Sequence, residues 1–351
     1  MTAPAQIPIQ NLYYLLAYAW DIVPDTSDVN LAATRCDDVL NLLALMLDRG
    51  LRRLTARGFE RGYRPRTAPL TRLRGRIDVV DSHRRMTDVA GRMVCRFDEL
   101  SIDTPANRIL RTTIGNLLAC RRDLHRDNAA ALRRHRDRLV GVSSTRLSEH
   151  LFGSVRIHRN NRRYRLPLTV CRLLYRLRMP TTGEGLHRLR DPLDHDLIMH
   201  RLFERFVHNF ARRHVHNAKV NAKTIHWAGS ETWTDEVRSL VPTMRTDVTL
   251  ERPGGTTILD CKYYRQALIR YHRTERFRPA HLYQLTAYLR NYQAANPDVP
   301  VDGLLLYPVV DRHLDHRFRL LDHDVAVRTV DLNRPWLDIH RRLFTILGGN
   351  I

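Results

Sequence analysis

The stretch that most constrains this chain runs from Arg245 to Tyr264 and reads R-T-D-V-T-L-E-R-P-G-G-T-T-I-L-D-C-K-Y-Y. Two β-favouring runs flank Pro253-Gly254-Gly255, which predicts two antiparallel strands joined by a tight turn. With the turn centred on Pro253 and Gly254, Asp247 falls across from Asp260. Side chains alternate faces along a strand, so Asp260 and Lys262 share one face. Two carboxylates and an ammonium group then converge on one spot.

That grouping has a chemical use. Close carboxylates repel each other unless a cation lies between them, and a hard divalent ion such as Mg²⁺ accepts carboxylate, water and phosphate oxygens together. Such an ion polarises a phosphodiester and lowers the pKa of a bound water, while Lys262 would orient that water or stabilise the developing charge. The plain alternative is a surface hairpin with a chance lysine. The composition argues against chance: 55 of the 58 basic residues are Arg, and Lys219, Lys223 and Lys262 are the only lysines. A lysine two residues after Asp260 is therefore a choice, because the compact ammonium and the planar, permanently charged guanidinium do different chemistry.

The 351 residues suit two domains, and 43% hydrophobic content suffices for real cores. The formal charge of +21 favours polyanionic partners, nucleic acid first. Five cysteines without a C-x-x-C pair imply a reducing compartment and no structural zinc. The N-terminus lacks a signal-peptide pattern and no apolar run reaches the roughly 18 residues of a membrane span, so a soluble cytoplasmic protein is expected. With no G-x(4)-G-K-[ST], any nucleotide hydrolysis must come from a partner.

Along the chain, I-P-I-Q-N-L-Y-Y-L-L-A-Y-A-W-D from Ile7 predicts a helix apolar or aromatic on nearly every side, expected to pack on a second helix from about Asp37 to Thr55. Gly58 to Val94 has strand-and-loop texture with many arginines, and Phe97 to Thr104 reads as an acidic turn before a helix opened by Pro105. Met199, Leu202, Phe203, Phe206, Val207 and Phe210 mark an amphipathic helix with Glu204 at the margin of its stripe. Arg265 to Pro279 reads as a basic loop or short helix. Gln284 and Tyr288, four apart on the next helix, project together. The run V-D-G-L-L-L-Y-P-V-V suits a buried strand, and a last helix spans about Pro335 to Leu347. The histidines show no trusted ligand spacing and are read as surface residues. The expected fold is α/β (α+β overall), with a mixed helix and small-sheet domain over 1–163 and an α/β core over 164–351.

The ordered set of helix Glu204, strand Asp247, strand Asp260-Cys-Lys262 and helix Gln284 with Tyr288 resembles the PD-(D/E)XK nuclease superfamily, its Q-x-x-x-Y pointing to the RecB-like branch. Asp247 follows Thr246 where the motif has Pro. Together with F-D-E-L-S-I-D-T-P-A-N-R-I-L and L-F-E-R-F-V, the opening segment resembles the McrC family, nuclease subunits of McrBC modification-dependent (Type IV) restriction systems. The resemblance implies that Asp247, Asp260 and Glu204 bind Mg²⁺, Lys262 serves the attacking water, and Gln284 and Tyr288 position the strand. It further implies double-stranded DNA as substrate, cut where it carries methylcytosine. A McrB-like AAA+ GTPase hexamer would be the partner, docked on the N-terminal domain, which stimulates its hydrolysis. Two other readings stay open from the residues: a self-sufficient RecB-like repair nuclease, and a DNA-binding, GTPase-activating adaptor without catalysis.

Overall fold

The computed structural model describes residues 7–22, 36, 38–120, 123–177, 196–263, 268–271, 274–308 and 313–349. The fold is mixed α/β, in two compact units: Leu40–Leu189 forms one, and Met1–Val39 joins Arg190–Ile351 in the other. The chain is thus divided at other places than the expected 163/164 cut, with its N-terminal helix belonging to the C-terminal half.

In the Leu40–Leu189 unit, the helix Val39–Arg57 buries an apolar face including Leu43, Leu47 and Leu51. A three-stranded antiparallel sheet places Met93–Ser101 between Gly62–Leu70 and Arg76–Ile77. The acidic stretch from Phe97 is therefore strand rather than turn. Nine residue pairs with Gly62–Leu70 outweigh its low β-propensity, and Glu99 accepts from Arg66 of the facing strand at 2.7 Å. Asp103, just past the strand, accepts from Arg64, Arg108 and Ser143, and Thr104 caps the helix Pro105–Ala119 through Asn107 N–H.

In the other unit, helices α1 (Ile9–Ala19) and α2 (Asp196–His214) pack together. Tyr18 sits edge-on to Phe206 and hydrogen-bonds His214 at 2.8 Å, while Tyr14 stacks at 4.0 Å on Trp336 of a C-terminal helix, Trp336–Ile346. The aromatic residues of α1 thus find distant partners on α2 and the last helix. A helix apolar on nearly every side carries no signal of its own for which neighbour it meets.

The six-stranded sheet comprises β1 (Lys219–Asn221), β2 (Val248–Arg252), β3 (Gly255–Cys261), β4 (Val301–Pro308), β5 (Asp315–Leu320) and β6 (His323–Val330), in the order β5-β6-β4-β3-β2-β1. β4 runs parallel to β3 and β6, and the remaining pairs are antiparallel. Helix α3 (Pro279–Ala295) crosses between β3 and β4, burying Leu285 and Leu289 against the sheet. Sequence reading missed β6.

The β2–β3 hairpin turns at Pro253-Gly254, with Arg252 opposite Gly255. Gly255 is held at φ +147°, where an added Cβ would lie 2.9 Å from Pro300 O. At Gly303 of β4 the obstacle is the helix above: a Cβ would lie 2.8 Å from Leu285 Cδ2 and 3.0 Å from Leu289 Cδ1. Gly303→Ala is expected to cost about 1–3 kcal/mol through overpacking, read as a lowered midpoint in urea denaturation; an unchanged midpoint would show that α3 shifts freely.

Candidate active site

The observed register pairs Val248 with Leu259, so Asp247 lies one step beyond the ladder at the end where β3 carries Asp260. Cys261 N–H donates to Asp247 Oδ2 at 2.7 Å, tying the first carboxylate to the strand of the second. Asp260 is 1% exposed and Lys262 6%. They share a face as their spacing requires, with Nζ 3.0 Å from Asp260 Oδ2.

From Lys262 a chain of hydrogen bonds runs to α3. Nζ donates to Gln284 Oε1 at 2.8 Å, and Gln284 Nε2 donates to Tyr288 OH at 2.7 Å. The four-residue spacing stacks Gln284 and Tyr288 on the face of α3 turned to Lys262. Glu204, on α2, is 28% exposed at its side chain and pairs with His200 Nε2 at 3.1 Å.

Three acidic groups beside one ammonium make the site electrostatically unbalanced. Burial pushes Asp247 up to about 8, and the negative charges of Asp260 and Glu204 push the same way. Burial likewise raises Asp260, against the pull of Lys262, and raises Glu204. Burial works to lower the Lys262 ammonium, but Asp260 beside it wins and holds it above its ordinary range.

Asp260 Oδ2 is buried and accepts no hydrogen bond of good geometry, leaving the nearby ammonium as its closest compensation. A buried carboxylate oxygen left open, next to a second carboxylate that burial and like charge drive toward protonation, suits a divalent cation. Asp247 and Asp260 are the pair that could hold one. Among the described residues no three acidic, histidine or cysteine side chains already form a cage, and Glu204 is engaged by His200.

The histidines depart from the surface reading. His281 and His323 are buried, and His200, Glu204 and His208 follow one another at four-residue intervals along a single face of α2. His208 contacts the Asp247 carbonyl. The repeat was visible once Glu204 was singled out, but no ligand motif drew attention to it. The basic stretch after Lys262 forms two paired strands, Leu268–Tyr271 and Thr274–Phe277, in place of the expected loop or helix. Tyr264, Arg265 and Arg273 lie outside the described residues.

Fold and site define an α/β domain with a carboxylate–lysine centre at the carboxyl end of a strand in a parallel pair, where open α/β sheets place their ligands. Residues 6–308 match the model of a protein family described as McrBC 5-methylcytosine restriction system component. The chain is 32% identical over 342 residues to the Type IV methyl-directed restriction enzyme EcoKMcrBC of Escherichia coli (strain K12), covering 97% of each. It also resembles in fold a chain of the Thermococcus gammatolerans assembly of McrB AAA+ hexamers with bound McrC. That likeness has a TM-score of 0.59 at 18% identity, over 97% of this chain and 76% of the other. The chain belongs to the McrBC 5-methylcytosine restriction system component family.

Proposed function

We propose that this chain is the DNA-cleaving subunit of a Type IV restriction complex: a Mg²⁺-dependent endonuclease of PD-(D/E)XK type that acts with a McrB-like AAA+ GTPase hexamer on methylcytosine-containing DNA and stimulates that partner's hydrolysis. The observation that carries the reading is the line of groups at the end of β3. Asp247 and Asp260 stand together, and Lys262 is aimed by Gln284, itself braced by Tyr288.

Asp247 and Asp260 would hold the cation, with Glu204 on α2 as the third candidate carboxylate. Bound there, Mg²⁺ supplies Lewis acidity toward a phosphodiester oxygen and an acidified water. Gln284 occupies one of the three ammonium protons of Lys262, which sets the direction of the other two. With Asp260 Oδ2 beside the ammonium at 3.0 Å, the face of Lys262 turned away from both partners is left to orient the attacking water and stabilise charge developing on the phosphate. The net charge of +21 draws DNA to the protein.

No helix among the described residues is long and apolar enough to cross a membrane. Because α1 is consumed in packing on α2, the Leu40–Leu189 unit is the better candidate for docking the GTPase.

The test is cleavage of methylated and unmethylated plasmid with Mg²⁺, by wild type and Asp260→Ala, each alone and with the GTPase plus GTP. Cutting is expected only with partner, GTP, methylation and an intact Asp260. Methylation-indifferent cutting by the lone chain would replace this reading with a self-sufficient nuclease; stimulated GTP hydrolysis without cutting would leave an adaptor.

A further inference from the structure

Asp247 is not held by a strand. On one side the sheet ladder stops at Arg245, paired with Thr224, and on the other at Val248, paired with Leu259, so Thr246 and Asp247 span a bend. A carboxylate on an unpaired bend keeps its place only if other bonds fix the backbone beneath it. A proline before the aspartate would do so through its ring. Here that position is Thr246, which has no such restraint of its own.

Hydrogen bonds surround the bend instead. Thr246 N–H donates to Lys223 O at 2.9 Å, and Lys223 N–H donates back to Thr246 Oγ1 at 2.9 Å. The same hydroxyl meets Thr249 Oγ1 at 2.8 Å, both threonines being buried. From the facing helix, His208 Nδ1 lies 3.3 Å from the carbonyl oxygen of Asp247. A carbonyl oxygen only accepts, so Nδ1 carries the ring proton and donates. With Cys261 N–H on Oδ2 at 2.7 Å, the residue is fastened at both backbone and carboxylate.

We propose that His208, with Thr246 behind it, is a positioning residue for Asp247: the pair replaces a rigid proline ring with hydrogen bonds that set where the carboxylate stands over β3. His208 touches no reacting atom and acts only through Asp247. It also links α2, which carries Glu204, to the bend that carries Asp247, so two acidic groups of the site keep a common frame. The proposal rests on the nuclease reading, in which Asp247 binds a divalent ion.

The test uses the full chain and Mn²⁺ as probe, following binding through the electron paramagnetic resonance signal of free Mn²⁺. Partners that orient a metal ligand are worth about 10–100-fold in affinity. His208→Leu, which keeps bulk and loses the donor, is expected to weaken Mn²⁺ binding about tenfold. His208→Asn, whose amide N–H can reach the same carbonyl, restores most of it. Thr246→Val weakens binding in the same direction and Thr246→Ser does not. In an Asp247→Asn background His208→Leu has no further effect, because a residue acting through Asp247 has nothing left to position. Wild-type affinity in His208→Leu, equal loss in His208→Asn, or a loss that persists in the Asp247→Asn background would overturn the proposal. A folded wild type that binds no Mn²⁺ would sink the metal-site reading itself, and this inference with it.

Discussion

Lys262→Ala is expected to lower cleavage of methylated DNA by the assembled complex at least about 10²–10³-fold, the usual loss when one aimed donor is removed from a developing charge. Stimulation of the partner's GTP hydrolysis should persist, since Lys262 lies in the carboxylate site and the docking role is assigned elsewhere. Lys262→Arg is not expected to rescue. Lys262 is 6% exposed, its ammonium is a compact point between Asp260 and Gln284, and a guanidinium fork in the same space would displace one of them. That is the physical content of a lysine here in a chain that writes arginine almost everywhere. The substitution also removes the nearest compensation of a buried carboxylate. Breaking such a pair costs about 3–5 kcal/mol when the remaining group stays charged. Asp260 escapes part of this by taking a proton, so the stability lost in Lys262→Ala should be smaller at pH 6 than at pH 8. Cleavage measured below both unfolding midpoints separates the two effects. Full activity in a folded Lys262→Arg enzyme would show that only positive charge matters.

What the sequence made legible was local. The turn at Pro253-Gly254 sets the hairpin register, and that register brings Asp247 to the Asp260 end of β3. A two-residue spacing puts Lys262 beside Asp260, and a four-residue spacing puts Gln284 over Tyr288. Each depends only on the period of a strand or a helix. What stayed hidden depends on contacts far apart in the chain. The partners of α1 lie nearly two hundred or more residues away, on α2 and the last helix. β6 alternates polar and apolar residues weakly, yet it is buried because β4 and β5 flank it. The acidic strand Met93–Ser101 owes its form to pairing with the arginines of Gly62–Leu70, which no local propensity reports. His208 had no motif to announce it, because its bond is to a backbone carbonyl that any residue could have offered.

The strongest pH effect should come from Asp247. Its carboxyl is pushed up to about 8, from an ordinary 3.8, chiefly by burial and then by the charges of Asp260 and Glu204. Because the folded value is above the unfolded one, the folded chain binds the extra proton between about pH 4 and pH 8. The stability this contributes is fully present below about pH 4 and is lost as pH rises through about 8. The metal-free chain should therefore become less stable between pH 5 and pH 9, by an amount on the order of a few kcal/mol from this group. Asp247→Asn, which keeps the shape without the charge, is expected to flatten that slope and to raise the melting temperature most at pH 9. A divalent cation acts on the same imbalance from the other side, since it binds the ionised carboxylates and not the protonated ones. Added Mg²⁺ should then raise the wild-type melting temperature more at pH 8 than at pH 6, and barely affect Asp247→Asn. Calorimetry across this range with and without Mg²⁺ checks both statements without any cleavage assay. Equal pH slopes for wild type and Asp247→Asn would show that Asp247 is ionised and already compensated in the metal-free fold, which would remove the electrostatic reason for placing a cation between the two aspartates.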